Sequence, residues 1–186
     1  DKYMRSFNNE VMRGILKKIY KIIKNTKQFL FRNAIYSSSC FLRIGYGCLG
    51  KCTYCLIRNA IGSLKSKALG VCLDEYKQLL DKGHRQFTIL ADNVGAYGLD
   101  IGSSFLELIS QLSAVDHGLN TKWAIHYLNP EWVVRYKSAL LEKIREGKIV
   151  NISSAIQSGS NRILRLMNRY DNSEKTMESL IEFKKT

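Results

Sequence analysis

The sequence predicts an α/β fold: a partial TIM-type (βα) barrel of about four βα units, preceded by an N-terminal helix. Three observations predict it. Short apolar runs of strand length alternate with longer amphipathic segments, an order that gives right-handed βαβ units and a parallel sheet. Each strand is followed by a loop carrying Cys, Asp, His or Gln, at the C-terminal strand ends where such barrels place their chemistry. The length, 186 residues, supports one domain with a sizeable core but falls short of two.

Taken in order, residues 1–36 read as a basic amphipathic linker. From Asn9 to about Leu30, Val11, Ile15, Ile19 and Ile22/Ile23 recur at helical spacing, with Lys17, Lys18, Lys21 and Lys24 between them. A connecting helix packed on a domain is the first reading; contact with RNA or a membrane surface is the other. Ser37-Ser38-Ser39 marks a break, and residues 37–186 form the main domain.

Phe41–Tyr46 reads as its first strand, followed by a Gly- and Cys-rich loop. A helix over Leu73–Lys82 starts near Asp74 and is ended by Gly83. Gln86–Ala91 is the second strand, Asp92–Gly102 a loop, and Ser104–Leu112 a helix. Trp123–Leu128 is the third strand; Asn129-Pro130 opens a helix running to about Glu146. Ile149–Ile156 is the fourth, with helices from Ser160 to the end. The chain starts without Met and stops inside a helical pattern, so it is expected to be an internal piece of a longer protein, incomplete at its C-terminus.

Charge sets classes of partner. The net charge is +13, and residues 1–36 hold nine Lys/Arg against two Asp/Glu. Such an excess favours polyanions such as RNA, although a solvated lysine-rich face produces the same count. No run reaches the ~20 apolar residues of a membrane helix, and no membrane partner is expected.

Five cysteines, three of them within eight residues, do not suit paired disulfides; reduced thiols in the cytoplasm holding a metal fit better. Gly47-Cys48-Leu49-Gly50-Lys51-Cys52-Thr53-Tyr54-Cys55 gives C-x3-C-x2-C. Three thiolates leave one iron of a 4Fe–4S cluster open to the amino and carboxylate groups of a methionine-type cofactor. Gly47 and Gly50 let the loop wrap closely, and the ring of Tyr54 can lie against an adenine. Zinc knuckles need a second cysteine pair that is missing here, and a C-x-x-C redox motif leaves Cys48 unexplained. Cys40 and Cys72 read as ordinary buried thiols.

The run from Gly47 to Ser66 resembles the radical S-adenosylmethionine (SAM) methylthiotransferases, the MiaB/RimO-like group. So do Ala91–Asp100 and the run Ile156-Gln157-Ser158-Gly159-Ser160 with Leu164 and Met167-Asn168-Arg169. The resemblance covers residues 41–186 and implies a radical SAM barrel in which a reduced cluster cleaves SAM to a 5′-deoxyadenosyl radical. The outcome in that family is methylthiolation, C–H to C–SCH3, with sulfur from a second 4Fe–4S cluster.

By the same resemblance Cys48, Cys52 and Cys55 hold the cluster. Asp92 and Asn93 lie near the cofactor's amino group or the substrate, and Gln157 and Ser158 reach towards SAM. Asp92 departs from the Gln of many members; a carboxylate there can pair with the cofactor ammonium. Asp92/Asn93 as a loop turn and Gln157/Ser158 as strand-end hydrogen bonding are the plainer readings. His126 reads as a satisfied core histidine and Arg169 as a solvated helix residue. Tyr97 either stacks on a base or packs in the core, and no residue is singled out as catalytic.

The implied substrate is a tRNA adenosine near the anticodon, with an aspartate of a ribosomal protein as the alternative. An electron donor such as flavodoxin is implied too. The family also has an N-terminal domain with three cysteines for the second cluster, an RNA-binding C-terminal domain and later barrel strands, so the isolated chain is expected to be inactive. Two other readings stay open: a radical SAM enzyme acting on a small molecule or peptide, and a non-catalytic iron–sulfur or RNA-binding module.

Overall fold

The computed structural model describes residues 39–186, His117 excepted. The basic helix expected over Asn9–Leu30 and the linker 1–36 lie outside the described residues. Ser39–Thr186 forms one unit, built on a four-stranded parallel sheet.

Its strands are β1 (Cys40–Arg43), β4 (Gln86–Leu90), β5 (Lys122–His126) and β6 (Ile149–Ile152), adjacent in that order. Between β1 and β4 in sequence, β2 (Gly45–Tyr46) and β3 (Lys65–Ser66) make a two-stranded antiparallel ribbon. Helices α1 (Ile57–Ala60), α2 (Leu69–Asp81), α3 (Phe105–Val115), α4 (Pro130–Arg135), α5 (Lys137–Arg145), α6 (Asn161–Leu166) and α7 (Ser173–Lys185) complete the described elements. This is the partial (βα) barrel the alternation predicts. No described helix is long and apolar enough to cross a membrane.

Register sorts the side chains. Phe87 and Ile89 of β4 and Trp123 and Ile125 of β5 are buried with Leu42, packing with Cys72, Tyr76, Leu108, Leu112 and Leu140 of the helices. On the other face Arg43, Leu90 and His126 are register partners, and with Phe41 and Tyr127 they line a cavity of about 390 Å3. The pleat explains the split, since successive strand residues point to opposite sides.

Five expected element boundaries are corrected. The first strand is not continuous over Phe41–Tyr46: it leaves the parallel sheet at Ile44, whose N–H bonds Leu90 O while its carbonyl accepts from Lys67 N. Helix α2 begins at Leu69, not near Asp74. Its N-cap, Ala68, has no capping side chain, so the usual start signal is missing. Gly83, at φ +88°, does end it. The single helix expected over 130–146 divides at Tyr136, whose ring stacks on Trp132 at 5.2 Å and whose hydroxyl donates to Gly95 O at 3.0 Å. The fourth strand ends at Ile152, not Ile156, and the Asp92–Gly102 loop contains a 3-10 turn at Val94–Ala96. Helix α3 starts where expected, with Ser104 Oγ accepting from Glu107 N at 3.1 Å.

Candidate cluster-binding site

The β2–β3 ribbon projects one loop, residues 47–64, which carries all three motif cysteines. Its entry is fixed at Gly47, at φ +71°, where an added Cβ would lie 2.1 Å from Ser63 O. Only glycine fits this left-handed, crowded position. Gly47 N donates to Asp92 Oδ2 at 2.8 Å, and Cys48 N to Gly62 O at 3.3 Å. Asp92 therefore holds the ligand loop against the end of β4, a role that sequence reasoning did not give it.

The sulfurs are surrounded by donors. Cys48 Sγ accepts from Gly50 N at 3.2 Å and from Asn93 Nδ2 at 3.6 Å. Cys52 Sγ accepts from Arg169 Nη1 at 3.7 Å. All three motif cysteines are half-buried. A Cβ at Gly50 would meet Cys48 Sγ at 3.2 Å and Cys52 Sγ at 3.8 Å, so the space that glycine leaves is flanked by both sulfurs. Among the described residues no three His, Cys, Asp or Glu side chains converge to hold a single metal ion. Three thiols on one short loop are nonetheless the donor set that suits an iron–sulfur cluster.

Asn93 is 1% exposed, and its Oδ1 has no hydrogen-bond partner. A buried amide oxygen without a donor is costly, and it is the kind of atom a ligand's ammonium satisfies. Tyr54 is exposed, with its hydroxyl 3.2 Å from Arg169 Nη1. Gln157 takes a left-handed φ of +72° after the end of β6, and Ser158 Oγ accepts from Ser160 N at 3.1 Å ahead of α6. The Ser158 bond is the local, structural alternative of the sequence reading. At Gln157 the non-glycine strain falls beside a strand end, a common place for function.

Other side chains divide between the expected readings and departures from them. Tyr97 is a core residue: it is 1% exposed and its hydroxyl donates to Lys67 O at 2.9 Å, so it is not available for base stacking. Burial, with nearby Cys72 adding to it, raises the Tyr97 hydroxyl well above its usual range. Cys72 is fully buried and desolvation pushes its thiol up, whereas Cys40 is only half-buried at the sheet edge, not a core thiol. His126 is not enclosed in the core; it lines the 390 Å3 cavity beside Tyr127.

Arg169 is the largest revision. It is not in a helix, and its guanidinium reaches Cys52 Sγ, Tyr54 Oη and, at 2.7 Å, Ala155 O. Nearby, Thr53 N donates to Met167 O at 3.1 Å, Thr53 Oγ1 to Leu166 O at 3.3 Å and Asn168 Nδ2 to Lys51 O at 2.9 Å. The turn 166–169 thus grips residues 51–54. A small cavity there is also lined by Glu131, whose carboxyl burial pushes up while Arg169 and Arg135 draw it back.

A cysteine loop leading out of the first strand of a parallel (βα) sheet, facing the ends of the next strands, defines the class. The chain belongs to the radical SAM superfamily, whose family model matches residues 42–186. Within it, the sequence is similar to the MiaB/RimO-like methylthiotransferases. It is 32% identical over 143 residues to a protein of Pyrococcus abyssi named as a probable threonylcarbamoyladenosine tRNA methylthiotransferase, covering 76% of this chain and 33% of that one. It is 35% identical over 133 residues to a tRNA-2-methylthio-N(6)-dimethylallyladenosine synthase of Thermotoga petrophila, covering 69% and 29%. A ribosomal protein uS12 methylthiotransferase of Nitrosomonas europaea is 31% identical over 153 residues, covering 77% and 34%. The chain spans about a third of the length of these relatives. The radical SAM methyltransferase TsrM of Kitasatospora setae, solved with tryptophan and a SAM analogue, shares the fold at TM-score 0.60 and 12% identity, over 83% of this chain and 30% of that one.

Proposed function

We propose that this chain is the radical SAM domain of a methylthiotransferase, holding a 4Fe–4S cluster on Cys48, Cys52 and Cys55 and taking SAM at the open iron. The observation that carries it is the loop 47–55: three cysteines, two of them flanking the space left by Gly50, with amide and guanidinium donors on those two sulfurs. When bound, cluster and SAM supply a carbon radical able to remove hydrogen from an unactivated C–H bond.

The chain's own residues bind and orient. The N–H donors on Cys48 and Cys52 Sγ would hydrogen-bond the sulfurs that hold the cluster. Asn93 Oδ1 accepts from the SAM ammonium, with the Asp92 carboxylate adding charge from beside it. The Tyr54 ring would cover the adenine, and Gln157 and Ser158, in the segment between β6 and α6, would approach SAM. The cavity lined by Arg43, Leu90 and His126 gives room on the inner face of the sheet for the reacting group.

The substrate of this reading is an adenosine of tRNA, supported by the names of two of the relatives and by the net charge of +13. A ribosomal protein aspartate is the second reading, favoured by the similarity to the Nitrosomonas europaea protein. The reading places the protein in the cytoplasm, with a reducing donor such as flavodoxin and a second cluster in a further domain.

The test is anaerobic. The chain is reconstituted with iron and sulfide, iron per chain is counted, and dithionite and SAM are added. About four irons and release of 5′-deoxyadenosine, both lost in Cys52→Ala, are expected. One tightly held zinc and no SAM cleavage would overturn the proposal.

A further inference from the structure

Arg169 stands outside the cysteine motif, yet of the described residues it is the cation that reaches a motif sulfur. Its three contacts converge on one place: Cys52 Sγ at 3.7 Å, Tyr54 Oη at 3.2 Å and Ala155 O at 2.7 Å. The planar fork of a guanidinium can serve all three at once, which an ammonium cannot. Holding the loop does not require it, because neutral bonds from Leu166, Met167 and Asn168 already fasten residues 51–54. What Arg169 adds is a fixed positive charge directed at one sulfur.

We propose that Arg169 is a positioning residue that raises the reduction potential of the group held by Cys52, anchored for that purpose to the segment after β6 through Ala155 O. The inference rests on the cluster reading above. Adding an electron increases the negative charge on the cluster and its ligand sulfurs. A cation and its N–H donor on a ligand sulfur therefore stabilise the reduced form more than the oxidised one. The anchor matters because a side chain tied to Ala155 O and to Tyr54 cannot swing out to solvent, where water would screen the charge. Glu131 lines the same small cavity, where burial pushes its carboxyl up and Arg169 and Arg135 draw it back.

The experiment is an EPR-monitored redox titration of the reconstituted full chain, comparing wild type with Arg169→Met, Arg169→Lys and Asn168→Ala. At a fixed potential the reduced-to-oxidised ratio is expected to fall about tenfold in Arg169→Met, equivalent to ~59 mV for one electron. In Arg169→Lys, which keeps charge but not the three-way fork, it falls about threefold. Asn168→Ala, which loosens the loop without touching charge, leaves the ratio at the wild-type value. A wild-type ratio in Arg169→Met, or an equal fall in Asn168→Ala, overturns the inference. If Arg169→Met takes up no iron, Arg169→Lys decides: a lowered ratio supports the inference and a wild-type ratio overturns it. Failure of the wild-type chain to assemble any cluster would sink the underlying reading instead, and the two failures are distinguished by the iron count.

Discussion

Two polar networks sit at opposite ends of the same sheet, and they are built on different principles. Before β5, the Asp116 carboxylate is 1% exposed and accepts from Lys148 and, at 2.6 Å, from Thr121 Oγ1; Trp123 Nε1 donates to Tyr76 Oη at 3.0 Å. Those groups bond to one another inside the fold, with Asp116 Oδ1 left without a hydrogen-bond partner. At the cysteine end the groups are half-exposed, side chains bond mainly to backbone or sulfur, and Asn93 Oδ1 is left over. The first network is a buried ion pair with its hydrogen bonds, enclosed in the fold; the second borders a half-exposed loop of thiols, where the leftover acceptor lies beside Cys48 and can meet a ligand.

Substitutions can break this contrast, beginning with the largest effect on folding. Lys148→Met leaves the Asp116 charge buried and unpaired, and is expected to destabilise the chain by about 3–5 kcal/mol in urea unfolding. The fraction that folds should keep its full iron content; loss of iron from folded protein would blur the division between the two ends. Gly95→Ala comes next. Its Cβ would lie 2.2 Å from Trp132 Cγ, so overpacking is expected to cost about 1–3 kcal/mol in the same assay.

The alkaline limb of stability is a smaller, graded effect. Burial pushes the Tyr76 hydroxyl up to about 12, with Asp116 adding to it against hydrogen bonds from Thr121 and Trp123. The folded chain then keeps a proton that the unfolded chain releases near pH 10. Stability is full below about pH 10 and falls as pH rises towards about 12. Urea midpoints measured from pH 9 to 11 should fall less steeply in Tyr76→Phe; equal slopes would remove Tyr76 from this account. Least of all on folding is Asn93→Leu, expected to change unfolding by less than about 1 kcal/mol because it deletes an unsatisfied acceptor. SAM affinity, measured by equilibrium dialysis, should nevertheless drop about tenfold, as one charge-assisted bond is lost. A large loss of stability with unchanged affinity would place Asn93 among the enclosed groups instead.

What the sequence made legible follows from distance along the chain. The cysteine trio could be read because its ligands and the glycines that bend the loop fall within Gly47–Cys55. The four strands were legible too as short, largely apolar runs, although the first breaks at Ile44 and the fourth ends at Ile152. Arg169 was not, because it meets Cys52 across 117 residues through a turn in which Asn168 has a φ of +51°. Spacing carries no signal for such a meeting. The early start of α2 was hidden for a local reason: Ala68 caps it with no side chain of its own. Asp92 was placed at the right strand end, but its bond to Gly47 N depends on how β1 and β4 lie side by side. The division at Tyr136 depends likewise on Gly95 and Trp132, which no periodicity in 130–146 reveals.

The strand order has a consequence for how the chain acquires its shape during synthesis. Each parallel strand pairs with the one made before it: Cys40 faces Phe87, Gln86 faces Lys122, and Trp123 faces Ile149. The loop to be closed shortens at every step, so the entropic cost of each addition declines slightly as the sheet grows. A ribosome releasing this segment from its N-terminal side would present every new strand to an edge already formed. The cysteine loop lies between the first two of those strands, so its thiols emerge before the segment carrying Arg169 that later grips them.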